Sequence, residues 1–433
     1  MRTGLRFAPL CRRAARSGRR GAAPARGLPA LALLALAALA GCQTRSDWIS
    51  FRGQQGRGAT SNAVNPPLAM KWKLELQVGA EPTYAFNNPV VRGDTLYFGS
   101  TDGNFYALDI KSGYMRWVFK TSGAINSVPY ADGSNVYFGN NAGKVYAVSQ
   151  KDGEEVWSFQ TDSTVQSTIV GYKDYVLFAS DGGTAYFLGR DGRERFTLPN
   201  PVWHYNAFQV YDDVVYFAPA PPSRPHAFGA FDLRQREYLW ILDTDLFQSI
   251  WYSFPALRGD NLFFATADLG GDYWRLDYYA FRRRTGQRVW AYQDLSDWGS
   301  LPVDAEALFA RNMRLLDFMA PAVWRNLVIY ASGDTAVRAF RARSGQLAWK
   351  RSFDQVTSSS ATVAGNRLYF GLRGDDSPYG GRSARLVCLS ARNGRLLWQM
   401  DVEGALLSAP VIAGKWIVFG TDRNFFYVLE QVF

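Results

Sequence analysis

Few residues in this chain have the type and spacing to do chemistry. Of its 433 residues only two are histidines, His204 and His226, and they do not form a metal-spaced pair. Both are expected on loops or the surface. Asp375 and Asp376, in "GDDSPYGG" (374–381), offer oxygens to Ca²⁺. They lack the alternating carboxylates of a calcium loop, so a solvated loop is the expectation. Gly53, Gly56 and Gly58 in "RGQQGRG" could let backbone approach a phosphate, but no Gly-Lys-Ser/Thr follows them. These residues suggest no catalytic group, no metal and no cofactor.

The cysteines carry one distinct signal. Eight arginines and no acidic residue precede residue 42, and a thirteen-residue apolar run, Leu28 to Ala40, leads to "LAGC". That run is too short to span a bilayer, which takes ~20 residues as a helix. It suits the apolar region of a secretory leader. "LAGC" (Leu39 to Cys42) resembles the lipobox of bacterial lipoproteins, which implies a leader over 1–41 and a lipid on Cys42. Gln43 rather than Asp then favours the outer membrane, with the body on its periplasmic side. Cys11 leaves with the leader. Cys388, in "RLVCLS", reads as a core residue without a disulfide partner. The leader holds eight of the ten net positive charges, so the nearly neutral body has no electrostatic reason to bind nucleic acid.

The elements that must position any site are visible as a repeat. Trp117, Trp157, Phe196, Trp240, Trp290, Trp349 and Trp398 follow one another at intervals of 40, 39, 44, 50, 59 and 49. Four residues before them stand Gly113, Gly153, Gly192, Gly286, Gly345 and Gly394, with Arg236 the exception. Ten before stand Ala107, Ala147, Tyr186, Ala230, Ala280, Ala339 and Cys388. Such a period indicates a propeller or an array. Within a unit, "NPVV", "TLYFGS", "NFYALDI" and "YMRWVFK" read as four short strands separated by turn residues. The glycine is assigned to the tight third-to-fourth turn, where positive φ costs least. The aromatic is assigned to the gap between neighbouring sheets. Burying 150–250 Å² of ring there contributes roughly 4–6 kcal/mol before entropy costs.

Seven complete units begin near Asn88, Val128, Ser167, Ala207, Phe254, Ala320 and Ser360. The C-terminus adds three strands and stops, while "MKWKLEL" (Met70 to Leu76) offers one strand carrying Trp72. Together they make an eighth blade and close the ring, which removes free edges. The expected fold is therefore all-β: an eight-bladed propeller of four-stranded antiparallel blades over 70–433. Its last blade is closed by an N-terminal strand, and a tether and lead-in over 42–69 precede it, with Trp48 and Phe51 gripping the ring. Ser127, Ser253, Ser360 and Ser408, with Asn87, are expected at the channel mouth, facing water.

The phrase Ala-x-Asp-x-x-Thr/Ser-Gly-x-x-x-Trp, matched by Ala107, Asp109, Ser112, Gly113 and Trp117, resembles the pyrroloquinoline-quinone (PQQ)-type propeller repeat. "DWISFRGQQGRGATS" followed by "PPLAMKWKLEL" resembles the opening of such chains. With the lipobox, the whole is most similar to the BamB family. That resemblance implies a non-enzymatic lipoprotein of the outer membrane, a monomeric propeller inside a complex. It would dock on the periplasmic POTRA domains of a BamA-like subunit and assist insertion of β-barrel proteins. Two other readings remain open: a propeller scaffold for a peptide or glycan, or a dehydrogenase using PQQ and Ca²⁺. The vicinal cysteine pair of such enzymes is absent here.

Four insertions depart from the repeat: 218–227, 266–276, 372–384 and 294–319. The first three join second to third strands and the last joins a fourth strand to a first, so all four fall on one face of the disc. Loops on a rigid scaffold are where recognition concentrates. Tyr273, Trp274, Trp298, Asp375, Asp376 and Tyr379 are candidate partner contacts. "VDAEALFARNMRLLDF" reads as a short helix with Asp304 as its cap; its apolar side is expected to pack on its own propeller, and if it stands open its Leu308 and Phe309 are further candidates.

Overall fold

The computed structural model describes residues 47–76, 88–199, 209–219, 227–243, 251–252, 254–268, 275–296, 320–374, 382–406 and 408–432. They form eight antiparallel sheets in sequence order around a ring. Blades one to seven span 90–120, 130–160, 170–199, 209–243, 256–295, 322–352 and 362–402. Blade eight takes Val411–Ala413, Trp416–Gly420 and Phe425–Gln431 from the end of the chain and Leu68–Glu75 from its beginning. The N-terminal strand pairs antiparallel with Phe425–Gln431, from Leu68↔Gln431 to Glu75↔Phe425. Two sheets carry more than four strands. Ala59–Thr60 adds in parallel to the inner strand of blade seven, and Trp251–Tyr252 joins the second strand of blade five.

Burial explains the strand composition. Second strands such as Thr95–Gly99 are buried at every position because neighbouring blades cover both their faces. Outer strands such as Met115–Lys120 bury mainly the tryptophan of the repeat. Rings stack from blade to blade: Phe105 on Phe138 at 3.9 Å, and Phe98 on Phe426 at 5.0 Å across the closure.

Each tryptophan packs against the glycine of the next blade, not of its own. A Cβ on Gly153 would lie 2.8 Å from the Trp117 ring, and one on Gly345 would lie 2.7 Å from the Trp290 ring. The indole N–H also donates to a carbonyl of that next turn. Trp72 reaches Ile110 O at 2.8 Å, Trp117 reaches Gln150 O at 3.1 Å and Trp157 reaches Arg190 O at 2.8 Å. Trp240 bonds Arg283 O at 2.8 Å, Trp290 bonds Ala342 O at 3.1 Å and Trp349 bonds Ala391 O at 3.3 Å. The glycine is needed twice over, for its positive φ (+76° at Gly113) and for the ring lying against it. Trp398 faces blade eight, which has no third-to-fourth turn, and packs half-buried on the closing cluster.

Blade three corrects the spacing rule. Phe196 pairs with Phe187, whereas Tyr186 pairs with Thr197. The turn is one residue shorter there: Gly192 N bonds Gly189 O, where Gly113 N reaches back four residues to Asp109 O. Counting ten back from Phe196 therefore lands one residue out of register. At Arg236 the turn keeps the longer form and the residue adopts φ 57°, with its guanidinium 4.7 Å over the Phe196 ring.

Candidate functional site

The channel of the ring is filled by the chain's own lead-in. Asp47 accepts from Gly93 N in the first-to-second turn of blade one, and Trp48 exchanges backbone hydrogen bonds with Val91 on its inner strand. Ile49 O accepts from Ala131 N of blade two. Phe51 then packs edge-on against Phe254 at 4.7 Å, in a cluster with Val128 and Ala320. Arg52, only 2% exposed, donates through Nη2 to Ala320 O, Pro321 O and Ala361 O, which precede the inner strands of blades six and seven. The chain turns back: Arg57 Nε bonds Leu257 O, Val323 N bonds Arg57 O, Val363 N bonds Gly58 O and Gly365 N bonds Thr60 O. Both ends of the loop meet short first-to-second turns, while its tip lies near the opposite end of the channel.

The spacing of "RGQQGRG" has a packing cause. A Cβ on Gly58 would stand 2.2 Å from Arg52 Nη2, and one on Gly56 would stand 2.5 Å from Pro255 O. Trp48 and Phe51 are 5% and 4% exposed, so they lie within the ring. The gap beside them, lined also by Asn88, Pro89, Ala409 and Val411, has room for about one water. Of the serines expected to face water at the channel mouth, Ser127, Ser360 and Ser408 are buried. Ser127 Oγ donates to Gly139 O and accepts from Gly139 N, and Ser360 is fully covered. Ser408 is 9% exposed, while Ser253 and Asn87 lie outside the described residues.

The strands that bear the four insertions are described and open onto one face. The longest insertion leaves from Arg288–Leu295, and its root is held by a partly buried ionic cluster. Arg338, fully buried, grips Asp334 with two bonds of 3.0 and 2.8 Å and Asp294 Oδ2 with Nε at 2.7 Å. Lys350 adds 3.1 Å to the same Asp294 oxygen. Arg338 and Asp334 are fully buried while Asp294 and Lys350 reach solvent; pairing the buried two offsets the several kcal/mol that each buried ion costs. Burial opposes the charge on Arg338, but Tyr278 and the two aspartates outweigh it and its pKa is raised. Burial likewise opposes the charge on Asp294, and Arg338 and Lys350 hold its carboxyl below the usual range. The root of the 372–384 insertion is tied similarly, with Arg385 on Asp354 at 2.9 Å and Arg382 on the Asp354 carbonyl at 3.0 Å. The sequence reading missed these anchors. A charged residue inside the apolar strand "AVRAF", where other blades place Tyr106, Tyr146 and Tyr279, was the available signal.

Cys42, both histidines and the eight candidate contacts (Tyr273, Trp274, Trp298, Leu308, Phe309, Asp375, Asp376 and Tyr379) lie outside the described residues, as does the 304–318 helix. Cys388 is fully buried, and burial pushes its thiol up to about 12.

A family model described as "Outer membrane protein assembly factor BamB" matches residues 62–292 and 333–432. No curated protein matches by sequence. Among solved structures, BamB from Moraxella catarrhalis is similar with a TM-score of 0.62 and 14% identity over 84% of this chain and 99% of that one. A europium-containing methanol dehydrogenase is similar with a TM-score of 0.63 and 13% identity over 90% and 98%. A computationally designed protein, Ika8, reaches 0.59 and 14% identity over 80% and 96%. At such identities these three likenesses speak for the fold.

Proposed function

Because the chain belongs to the family of the outer membrane protein assembly factor BamB, we propose that it is a non-catalytic, lipid-anchored scaffold that binds a protein partner in β-barrel assembly, a BamA-like subunit. The observation that carries this reading is the filled channel. A ring of blades encloses one axial cavity, and here Phe51 and Arg52 occupy it, so recognition is left to the outer surfaces. Of these, the face that bears the four insertions is the partner face, because ion pairs brace two of its loop roots. Bracing reduces the ordering cost of binding through long loops.

A PQQ dehydrogenase is the second reading, raised by the likeness to methanol dehydrogenase. The described residues do not fit that cofactor with its Ca²⁺. The channel is closed by bonded protein groups, and no three carboxylate, imidazole or thiol groups converge among the described residues. Crosslinking the chain in cell envelopes and recovering it tests the proposal. The barrel-assembly subunit is expected with it, and replacing 375–381 by a short turn should reduce that recovery without lowering the melting temperature. Recovery unaffected by loop removal, or a quinone bound to the purified protein, sinks the reading.

A further inference from the structure

Eight large hydrophobic side chains are exposed among the described residues, and five of them share one sector. The residue two before the repeat aromatic faces outward at the rim. In blades seven, eight and one it is Leu396, Met70 and Met115, at 38%, 56% and 58% exposure. In blades two, three and five the same position holds Glu155, Glu194 and Arg288. Tyr114, 79% exposed beside Met115, and Val432 at 41% in blade eight complete an apolar arc. Each lies at or next to the third-to-fourth turn end of its blade, on the face opposite the long insertions.

The same face is basic from blade six to blade eight, whereas the third-to-fourth turn of blade two exposes Asp152, Glu154 and Glu155. Arg325 and Arg343 of blade six, Arg392 and Arg395 of blade seven and Lys415 of blade eight are exposed in turns that contain no acidic residue. Of these five only Lys415 is paired with a carboxylate among the described residues, Glu430 at 3.0 Å. Arg325 also lies 4.8 Å over the ring of Trp324. Apolar side chains beside exposed cations fit the interface of an anionic bilayer. The chain also arrives from this side. Asp47 is bound to Gly93 in a short turn of blade one, and Cys42 stands five residues earlier, within about 18 Å even if fully extended.

We propose that the short-turn sector of blades six, seven, eight and one lies on an anionic phospholipid surface and sets the propeller's orientation, so that the long insertions point away from the membrane. The proposal rests on the reading of Cys42 as an anchor, which a single lipid-bearing tether would leave free to swivel. The sector is the second contact that removes this freedom.

Vesicle flotation tests it with the chain from Gln43 onward, which holds every strand of the ring. Binding to vesicles containing phosphatidylglycerol, weakened by salt and absent on phosphatidylcholine alone, is expected. Arg392→Glu with Arg395→Glu is expected to weaken it about tenfold or more, at ~1 kcal/mol per basic residue near the surface. Met70→Ser with Met115→Ser should weaken it further with the melting temperature unchanged, since both side chains are exposed. No vesicle binding, equal binding to neutral vesicles, or unchanged binding by both variants overturns the proposal. So does loss of capture by a BamA-like subunit in lipid-free solution with vesicle binding intact, which would give the sector to protein. The mass of the N-terminal peptide from membrane-extracted protein decides separately whether Cys42 carries lipid.

Discussion

The wall of the ring and the plug inside it are built by opposite rules. The wall repeats one seam: an indole rests on the next blade's glycine and donates to that blade's turn carbonyl, six times from Trp72 to Trp349. The plug uses each residue once. Trp48 meets blade one, Ile49 blade two, Phe51 blades two, five and six, Arg52 blades six and seven, and Gly58 blade seven. The wall is stable through repetition of a local contact. The plug joins blades distant in sequence, so its contribution depends on a ring that has already closed.

The largest expected effect tests the wall. Trp290 is 8% exposed and lies between Phe263 and Phe340, each with its ring centre 6.1 Å away. Trp290→Ala is expected to cost 3–5 kcal/mol through the cavity and the lost ring contacts, read as a fall in the denaturation midpoint. If the midpoint holds, the seam is not what joins the blades. The plug is expected to respond more weakly and more locally. Gly58→Ala places a side chain at φ +56° and against Arg52 Nη2, for an expected cost of about 1–3 kcal/mol. Hydrogen exchange should rise at Val323 and Val363, whose amides bond Arg57 and Gly58, while amides of the second strands keep their protection. Equal loss of protection throughout would show that plug and wall unfold as one unit, and the distinction would fail.

That difference also governs what could be read from the sequence. Anything repeated was legible. The recurrence of Gly-x-x-x-Trp fixed the number of blades, and the half-blade left at each end revealed the closure by Leu68–Glu75. Phe196 misled because a turn one residue shorter shifts a count while leaving the strands intact. The plug was half legible: Trp48 and Phe51 stood out as large apolar residues in a polar stretch, but nothing in one copy of "FRGQQGRG" says which carbonyls Arg52 will meet. Arg338 was half legible as a charge inside the apolar "AVRAF", but nothing in the sequence says that it meets Asp334 and Asp294. Blade five and the segment leading into blade seven cover Arg338 and Asp334.

The smallest expected effect asks how far the wall's rule extends. Between blades three and four the seam has Phe196 where the others have an indole and Arg236 where they have glycine. Two departures fall on one contact: without an N–H there is no bond to the turn, and without glycine no ring could lie as close. Arg236 bears a left-handed φ of 57° and covers the ring with its guanidinium. Left-handed backbone costs about 1–2 kcal/mol in a residue with a side chain, and the cation over the ring returns about 0.5–1. Arg236→Gly alone is therefore expected to move stability by less than about 1 kcal/mol. Phe196→Trp alone is expected to destabilise, because Arg236 occupies the ring's landing site. Together they should restore the common seam, with the new indole donating to Leu233 O, three residues before position 236 as Ala342 is before Gly345. A double-mutant cycle that shows the pair more stable than the sum of the single changes supports one contact rule for all the complete blades. Strict additivity would show that this seam is held by other contacts.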